Sequence, residues 1–162
     1  MAHTAFARAG HDHDHCVEEA LDRAETLCAA HGARLTELRR AVLELVWRGH
    51  EPVGAYALLD ALKQSHPNAA PPTIYRALEF LAAHGLIHRI ESRNAFIGCD
   101  HPERPHAGQF LICARCSNAA EIDDPSVTRA LSKSASDFGF AVTRQTVELS
   151  GLCPSCRRAA GA

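Results

Sequence analysis

Cys113-Ala-Arg-Cys116 and Cys153-Pro-Ser-Cys156 form two Cys-x-x-Cys pairs. Each pair holds two thiols close together in a tight turn, and two such turns supply the four sulfurs of a tetrahedral zinc site. Two disulfides are one competing reading, and a thioredoxin-like redox pair is another. A redox pair follows a strand and opens a helix. Both pairs here follow strand-like runs, Phe110-Leu111-Ile112 and Val147-Glu148-Leu149, so structural zinc is the expectation. Residues 117–152 leave room for a helix and strands, so the metal closes a small domain rather than a finger. Four thiolates around one dication leave about two excess negative charges. Arg115, Arg157 and Arg158 are placed to offset them.

A second constellation gathers around His88. With Arg93-Asn94 read as a two-residue hairpin turn, His88 lies directly opposite Cys99. Directly opposed residues have Cβ atoms about 4.5–5.5 Å apart, close enough to share one ion. His106 comes from the following connection and Glu121 from the next strand-like stretch. One thiolate, two imidazoles and a carboxylate suit tetrahedral zinc. His11-Asp-His13-Asp-His15-Cys16 is a third candidate, weighed against a disordered tail with incidental metal affinity. His101 is an accessory candidate, and Cys28 reads as a small buried apolar residue.

These groups must be positioned by two differently patterned halves. Residues 17–91 read as helices with short breaks. Val17, Leu21, Ala24, Leu27 and Cys28 recur at helical spacing and stop near Gly32. Thr36 caps a second helix with Leu38, Val42, Leu45 and Val46 on one face, ending before Gly49. A third runs roughly from Gly54 to Ser65, with Tyr56 exposed opposite Leu58, Leu59 and Leu62. Pro71-Pro72 opens a fourth, which ends at Gly85. Its buried stripe is Ile74, Ala77, Leu78 and Leu81, leaving Tyr75 and Arg76 exposed near its start. That pair supplies donors able to reach base edges and phosphates in a major groove.

Leu86–Glu91 and Ala95–Cys99 then read as strand, turn and strand, so the helices carry a winged-helix hairpin. Arg89 and Arg93 on that hairpin are placed for phosphates. From Gly108 the pattern is α+β. Gln109–Cys113 and Ala119–Ile122 are strands, and Asp124-Pro125 caps a helix ending at Gly139. Phe140, Val142, Val147 and Leu149 form an alternating run whose parity change implies a bulge.

The chain has 162 residues and a net charge of −2, so any DNA-binding face is a local patch. Split at Gly98, it carries ten basic and twelve acidic residues before and seven of each after. Seven cysteines argue against a full disulfide set, and eleven histidines point to metal. The first fifteen residues lack the apolar core of a signal peptide, and no run is long enough to span a bilayer. A cytoplasmic location with reduced thiols is the expectation.

In one order the chain carries Pro71-Pro72-Thr73-Ile74-Tyr75-Arg76-Ala77-Leu78-Glu79-Phe80-Leu81, His88-Arg89-Ile90-Glu91-Ser92, Asn94-Ala95-Phe96 and Cys113-x-x-Cys116. With these motifs it resembles the ferric uptake regulator superfamily and, within it, the zinc uptake regulator subfamily, from about residue 17 to 156. The resemblance implies an α+β protein: a winged-helix DNA-binding domain, then an α/β dimerisation domain with a four-cysteine zinc site. It implies a homodimer on palindromic, AT-rich operator DNA. It assigns Cys113, Cys116, Cys153 and Cys156 to structural zinc, and His88, Cys99, His106 and Glu121 to regulatory zinc. Tyr56, Tyr75 and Arg76 face DNA. The superfamily's iron and peroxide regulators carry a histidine three residues before the first cysteine of their Cys-x-x-Cys. Here that residue is Phe110, preceded by Gln109, which weakens the iron and peroxide readings.

The expected organisation is a His-rich tail over 1–16, the winged helix over 17–98, a hinge over 99–107 and the dimerisation domain over 108–162. The function expected is a zinc-responsive transcriptional repressor of zinc homeostasis genes. It carries at least two zinc ions per subunit, with no membrane partner, no small-molecule substrate beyond the metal and no enzymatic activity. In this reading zinc fixes the angle between the domains to suit successive major grooves. The alternatives are a sensor of iron, manganese or nickel, a zinc-dependent scaffold without DNA binding and, distantly, a zinc deaminase or other hydrolase. The last draws on His101-Pro102-Glu103 upstream of Cys113-x-x-Cys116, but deaminase chemistry needs an open coordination position. A second Cys-x-x-Cys fills it.

Overall fold

A computed structural model describes Phe6 and residues 13–161. The described residues fall into two compact units, 13–104 and 105–161, with Phe6 grouped with the latter.

The first unit is helical with a small sheet. α1 (His13–Ala30) starts inside the stretch read as a tail. It is followed by α2 (Glu37–Trp47), a short strand β1 (Val53–Gly54), α3 (Ala55–Leu62) and α4 (Pro71–Ala83). The Thr36 hydroxyl accepts from Arg39 N at 3.4 Å, satisfying one of the free donors at the start of α2. Pro71 stands at the first position of α4, where no N–H is needed, and Thr73 Oγ1 accepts from Ala70 N. Leu21, Ala24, Cys28, Val42, Leu43, Val46, Leu58, Leu62, Ile74, Leu78 and Leu81 are all buried in one core. The apolar stripes read from the periodicity are therefore the packed ones, and Cys28 is a core residue.

β2 (Ile87–Ile90) and β3 (Ala95–Gly98) form the hairpin, and β1 joins β3 on its other edge, giving the order β1-β3-β2. The sequence reading missed β1, which is only two residues long. It also misplaced the turn. Glu91–Arg93 form a 3-10 turn and Asn94 takes a left-handed conformation at φ 46°. Arg89 Nη2 donates to Asn94 Oδ1 at 2.9 Å. The loop therefore spans four residues rather than two, and the register moves by two. His88 faces Ile97, and Cys99, one residue past β3, donates its N–H to Leu86 O at 3.1 Å. Because side chains alternate with period two, the slip keeps His88 and Cys99 on one face of the hairpin. They are diagonal neighbours, not opposed ones.

In the second unit β4 (Gly108–Cys113) is the central strand of the order β5-β4-β6. β5 (Ala119–Ile122) pairs with it antiparallel, and β6 (Thr146–Gly151) pairs parallel along its whole length. α5 (Pro125–Asp137) makes the crossover that a parallel pair requires. Phe110 and Ile112 of β4 are buried. So is Gln109, whose amide donates to Asp124 O and Thr128 Oγ1 at 3.0 Å each, while its Oε1 accepts from Asp124 N at 3.3 Å. One glutamine thus ties β4 to the start of α5. The expected strand at Phe140–Val142 and its bulge are absent. Phe140 N–H instead caps the end of α5, donating to Ala135 O at 3.0 Å, with Gly139 at φ 67°. The chain closes with α6 (Pro154–Ala160).

Candidate metal centre

The four-cysteine cluster follows from the parallel pairing. β4 and β6 run side by side until Cys113 meets Gly151, and Ala114 N then donates to Gly151 O at 2.8 Å. Parallel strands finish at the same end, so the turn after each strand lands beside the other. Cys113 closes β4, and the chain reverses through Ser117 at φ 63°, with Ser117 N donating to Cys113 O. Cys153 caps α6 and Cys156 lies in its first turn, so the second pair does open a helix.

All four sulfurs lie within 4.8 Å of one another. Cys116 Sγ and Cys153 Sγ are 3.8 Å apart. With Zn–S bonds of about 2.3 Å, the edge of a tetrahedron is about 3.8 Å, so this donor set fits zinc. Every cysteine among the described residues is a free thiol. Of the expected compensating cations, Arg115 Nη1 reaches Cys156 O at 3.4 Å, while Arg158 donates to Ser155 Oγ rather than to sulfur.

The thiols differ in proton affinity. Backbone N–H groups of Cys153 and Cys116 aimed at Cys113 lower its pKa to about 6. Cys156 is pushed up to about 12 by its hydrogen bond with the Cys153 sulfur and by burial. Crowded thiols without a cation cannot all ionise together.

The other predicted ligands are placed by their own units. In the first unit His88 and Cys99 share a face of the hairpin, Cys99 being only 2% exposed. In the second, His106 Nε2 and Glu121 Oε1 lie 2.6 Å apart and are almost wholly buried. A buried imidazole held by a carboxylate and a buried thiol beside an imidazole are both donor chemistry that zinc accepts.

Tyr56 is 68% exposed on α3, and Tyr75 and Arg76 are exposed in the first turns of α4. Arg89, read as a phosphate contact, lies 3.3 Å from Glu91. His101 Nδ1 lies 3.5 Å from Glu103. Of the N-terminal histidines, His13 opens α1, His15 Nε2 lies 3.3 Å from Glu19, Cys16 is half-buried and His11 falls outside the described residues. Sequence reasoning missed the clamp role of Gln109. A polar residue inside an apolar strand pattern was the signal available. It also missed the packing of Trp47 on Gly98, for which a glycine at a strand end was the only clue.

Residues 30–150 match the Ferric uptake regulator family. The zinc uptake regulation protein of Escherichia coli (strain K12) is 38% identical over 141 residues, covering 86% of this chain and 82% of that protein. A solved zinc uptake regulator complexed with zinc and DNA aligns with TM-score 0.86 at 36% identity, over 90% of this chain and 98% of that one. Holo XcZur aligns with TM-score 0.80 at 42% identity, over 86% and 98%. With a four-thiol centre, a winged helix and these relatives in agreement, the chain belongs to the ferric uptake regulator family.

Proposed function

We propose that this protein is a zinc-responsive transcriptional repressor that binds operator DNA as a homodimer when loaded with zinc, controlling genes of zinc uptake. The observation that carries this reading is its similarity, over nine-tenths of its length, to a zinc uptake regulator solved with zinc and DNA. The exposed Tyr75-Arg76 pair on α4 is the surface for the major groove, with Tyr56, exposed on α3, a further DNA-facing residue. Leu131, Phe138, Phe140, Val142, Leu149 and Leu152 are exposed apolar side chains on the second unit, surface of a kind that suits a second copy.

Two zinc sites divide the work. Cys113, Cys116, Cys153 and Cys156 hold a permanent ion that braces the second unit. His88, Cys99, His106 and Glu121 hold the labile one. Zinc bound there supplies coordinate bonds that favour whichever arrangement brings the four side chains to one point. Moving such an equilibrium from 1:99 to 99:1 takes about 5.5 kcal/mol of differential binding. His88 and Cys99 present imidazole and thiolate from the wing, while His106 and Glu121, 2.6 Å apart, present imidazole and carboxylate from the second unit, and any proton between them leaves to solvent when zinc binds. The donor set, with a thiolate and two imidazoles, favours zinc over manganese, which prefers oxygen ligands. Phe110 is buried where an iron or peroxide regulator has its histidine, so no ligand stands there.

Gel-shift titration of operator DNA with buffered Zn²⁺, Fe²⁺, Mn²⁺ and Ni²⁺ tests the reading. Zinc supports the shift at the lowest free concentration, and Cys99→Ser keeps one zinc per subunit while losing zinc-dependent binding. DNA affinity indifferent to zinc, or greater response to another of these metals, overturns it.

A further inference from the structure

Cys99 leaves the hairpin between two fixed points of backbone. On one side is Gly98, where a Cβ would overlap the Trp47 indole at Cε2 and Nε1. The ring therefore lies directly on the strand. On the other side is Asp100, whose carbonyl accepts from Arg23 Nη1 at 3.1 Å. Arg23 Nε also donates to Glu19 O within α1, at 3.4 Å, which steadies the guanidinium. Cys99 itself is held through its N–H on Leu86 O at 3.1 Å. Three successive residues are thus tied to α2, to the hairpin and to α1.

Alternation along the strand gives these ties a direction. Gly98 shares a face with Phe96, which packs in the helical core, so Cys99 must leave on the opposite face, that of His88. An indole seated on Gly98 leaves no room for the strand to roll or slip by one residue. We infer that Trp47 and Arg23 are positioning residues for Cys99, holding the strand exit so that its thiol is preset as a metal ligand beside His88. The inference rests on the proposed role of Cys99 in the labile zinc site. A ligand ordered before the metal arrives loses less freedom on binding, which raises affinity without touching the metal.

The test uses the full-length protein with its tightly held zinc retained and its labile zinc removed. Competition against a chromogenic chelator gives zinc affinity, and timed alkylation read by peptide mass gives the exposure of Cys99 in the depleted state. Trp47→Ala and Arg23→Gln each weaken labile zinc binding tenfold or more and speed Cys99 alkylation several-fold, with one zinc per chain kept. Trp47→Phe, which retains a flat ring, stays within threefold of the parent. Trp47 is the single tryptophan, so its emission follows the labile zinc in the parent and not in Cys99→Ser. A lower melting temperature with unchanged zinc affinity and alkylation marks a merely structural role and overturns the inference. If Trp47→Ala fails to fold, Arg23→Gln decides: parental zinc affinity and parental Cys99 alkylation in that variant overturn the inference. Should Cys99→Ser keep labile zinc at parental affinity, the assignment of the site falls first, and the positioning role with it.

Discussion

The unequal thiols of the four-cysteine centre give metal binding a pH dependence with a definite sign. Cys113, lowered to about 6, is a thiolate at neutral pH without metal, whereas Cys156, raised to about 12, and Cys116, also raised, keep their protons. Zinc must displace those protons, so its affinity falls on acidification, about tenfold per pH unit for each proton released. In the zinc-free chain the depressed Cys113 stabilises folding above the ordinary thiol pKa, and that stabilisation is lost as pH falls through about 6. Proton release on zinc addition in weakly buffered solution checks the point; a flat apparent affinity from pH 6 to 8 contradicts it. The cluster was legible because paired Cys-x-x-Cys turns have few other uses. The buried contact of His106 with Glu121 was visible only as a pair of compatible residues, since distance in sequence says nothing of their 2.6 Å approach. Gln109 was noticed only as the residue before Phe110, not for the three hydrogen bonds it makes.

Helix ends were the most readable elements, because their chemistry is local. α4 stops where Gly85 adopts φ 69°; Gly85 N donates to Ala82 O, and Leu86 N to Leu81 O. This double bond both ends the helix and aims the chain into β2. An alanine there must hold a left-handed backbone at a cost of about 1–2 kcal/mol, so Gly85→Ala lowers the melting temperature by several degrees. Thermal unfolding at fixed zinc measures it, and an unchanged midpoint refutes the role. The hairpin was harder. Ser92-Arg93-Asn94 carries no glycine, and the left-handed Asn94 with its bond from Arg89 extends the loop beyond the two residues expected. Parity rescued the face but not the partner. The missing strand at Phe140 failed for a related reason: alternation cannot show that Phe140 N–H is already committed to Ala135 O.

At the scale of the molecule, a net charge of −2 means that DNA affinity has to come from a few placed cations rather than a broad field. Arg76→Ala on α4 is therefore expected to cost about 1–3 kcal/mol in operator binding, as read by anisotropy at constant salt and saturating zinc. Loss of less than twofold would remove Arg76 from the interface. No helix among the described residues is long and apolar enough to cross a membrane. The winged helix was legible from helical periodicity followed by alternation. The assembly was legible only through family resemblance, since no spacing announces which surface meets a second copy.

β6 draws that last point out. Among the described residues it is an edge strand of its sheet, Leu149 on it is 55% exposed, and Phe138 at the end of α5 is 90% exposed. Such a border is adhesive, offering hydrogen bonds and grease to any extended peptide that drifts past. Covering that border with a second copy is accordingly expected to make the paired form less prone to clump than a solitary one.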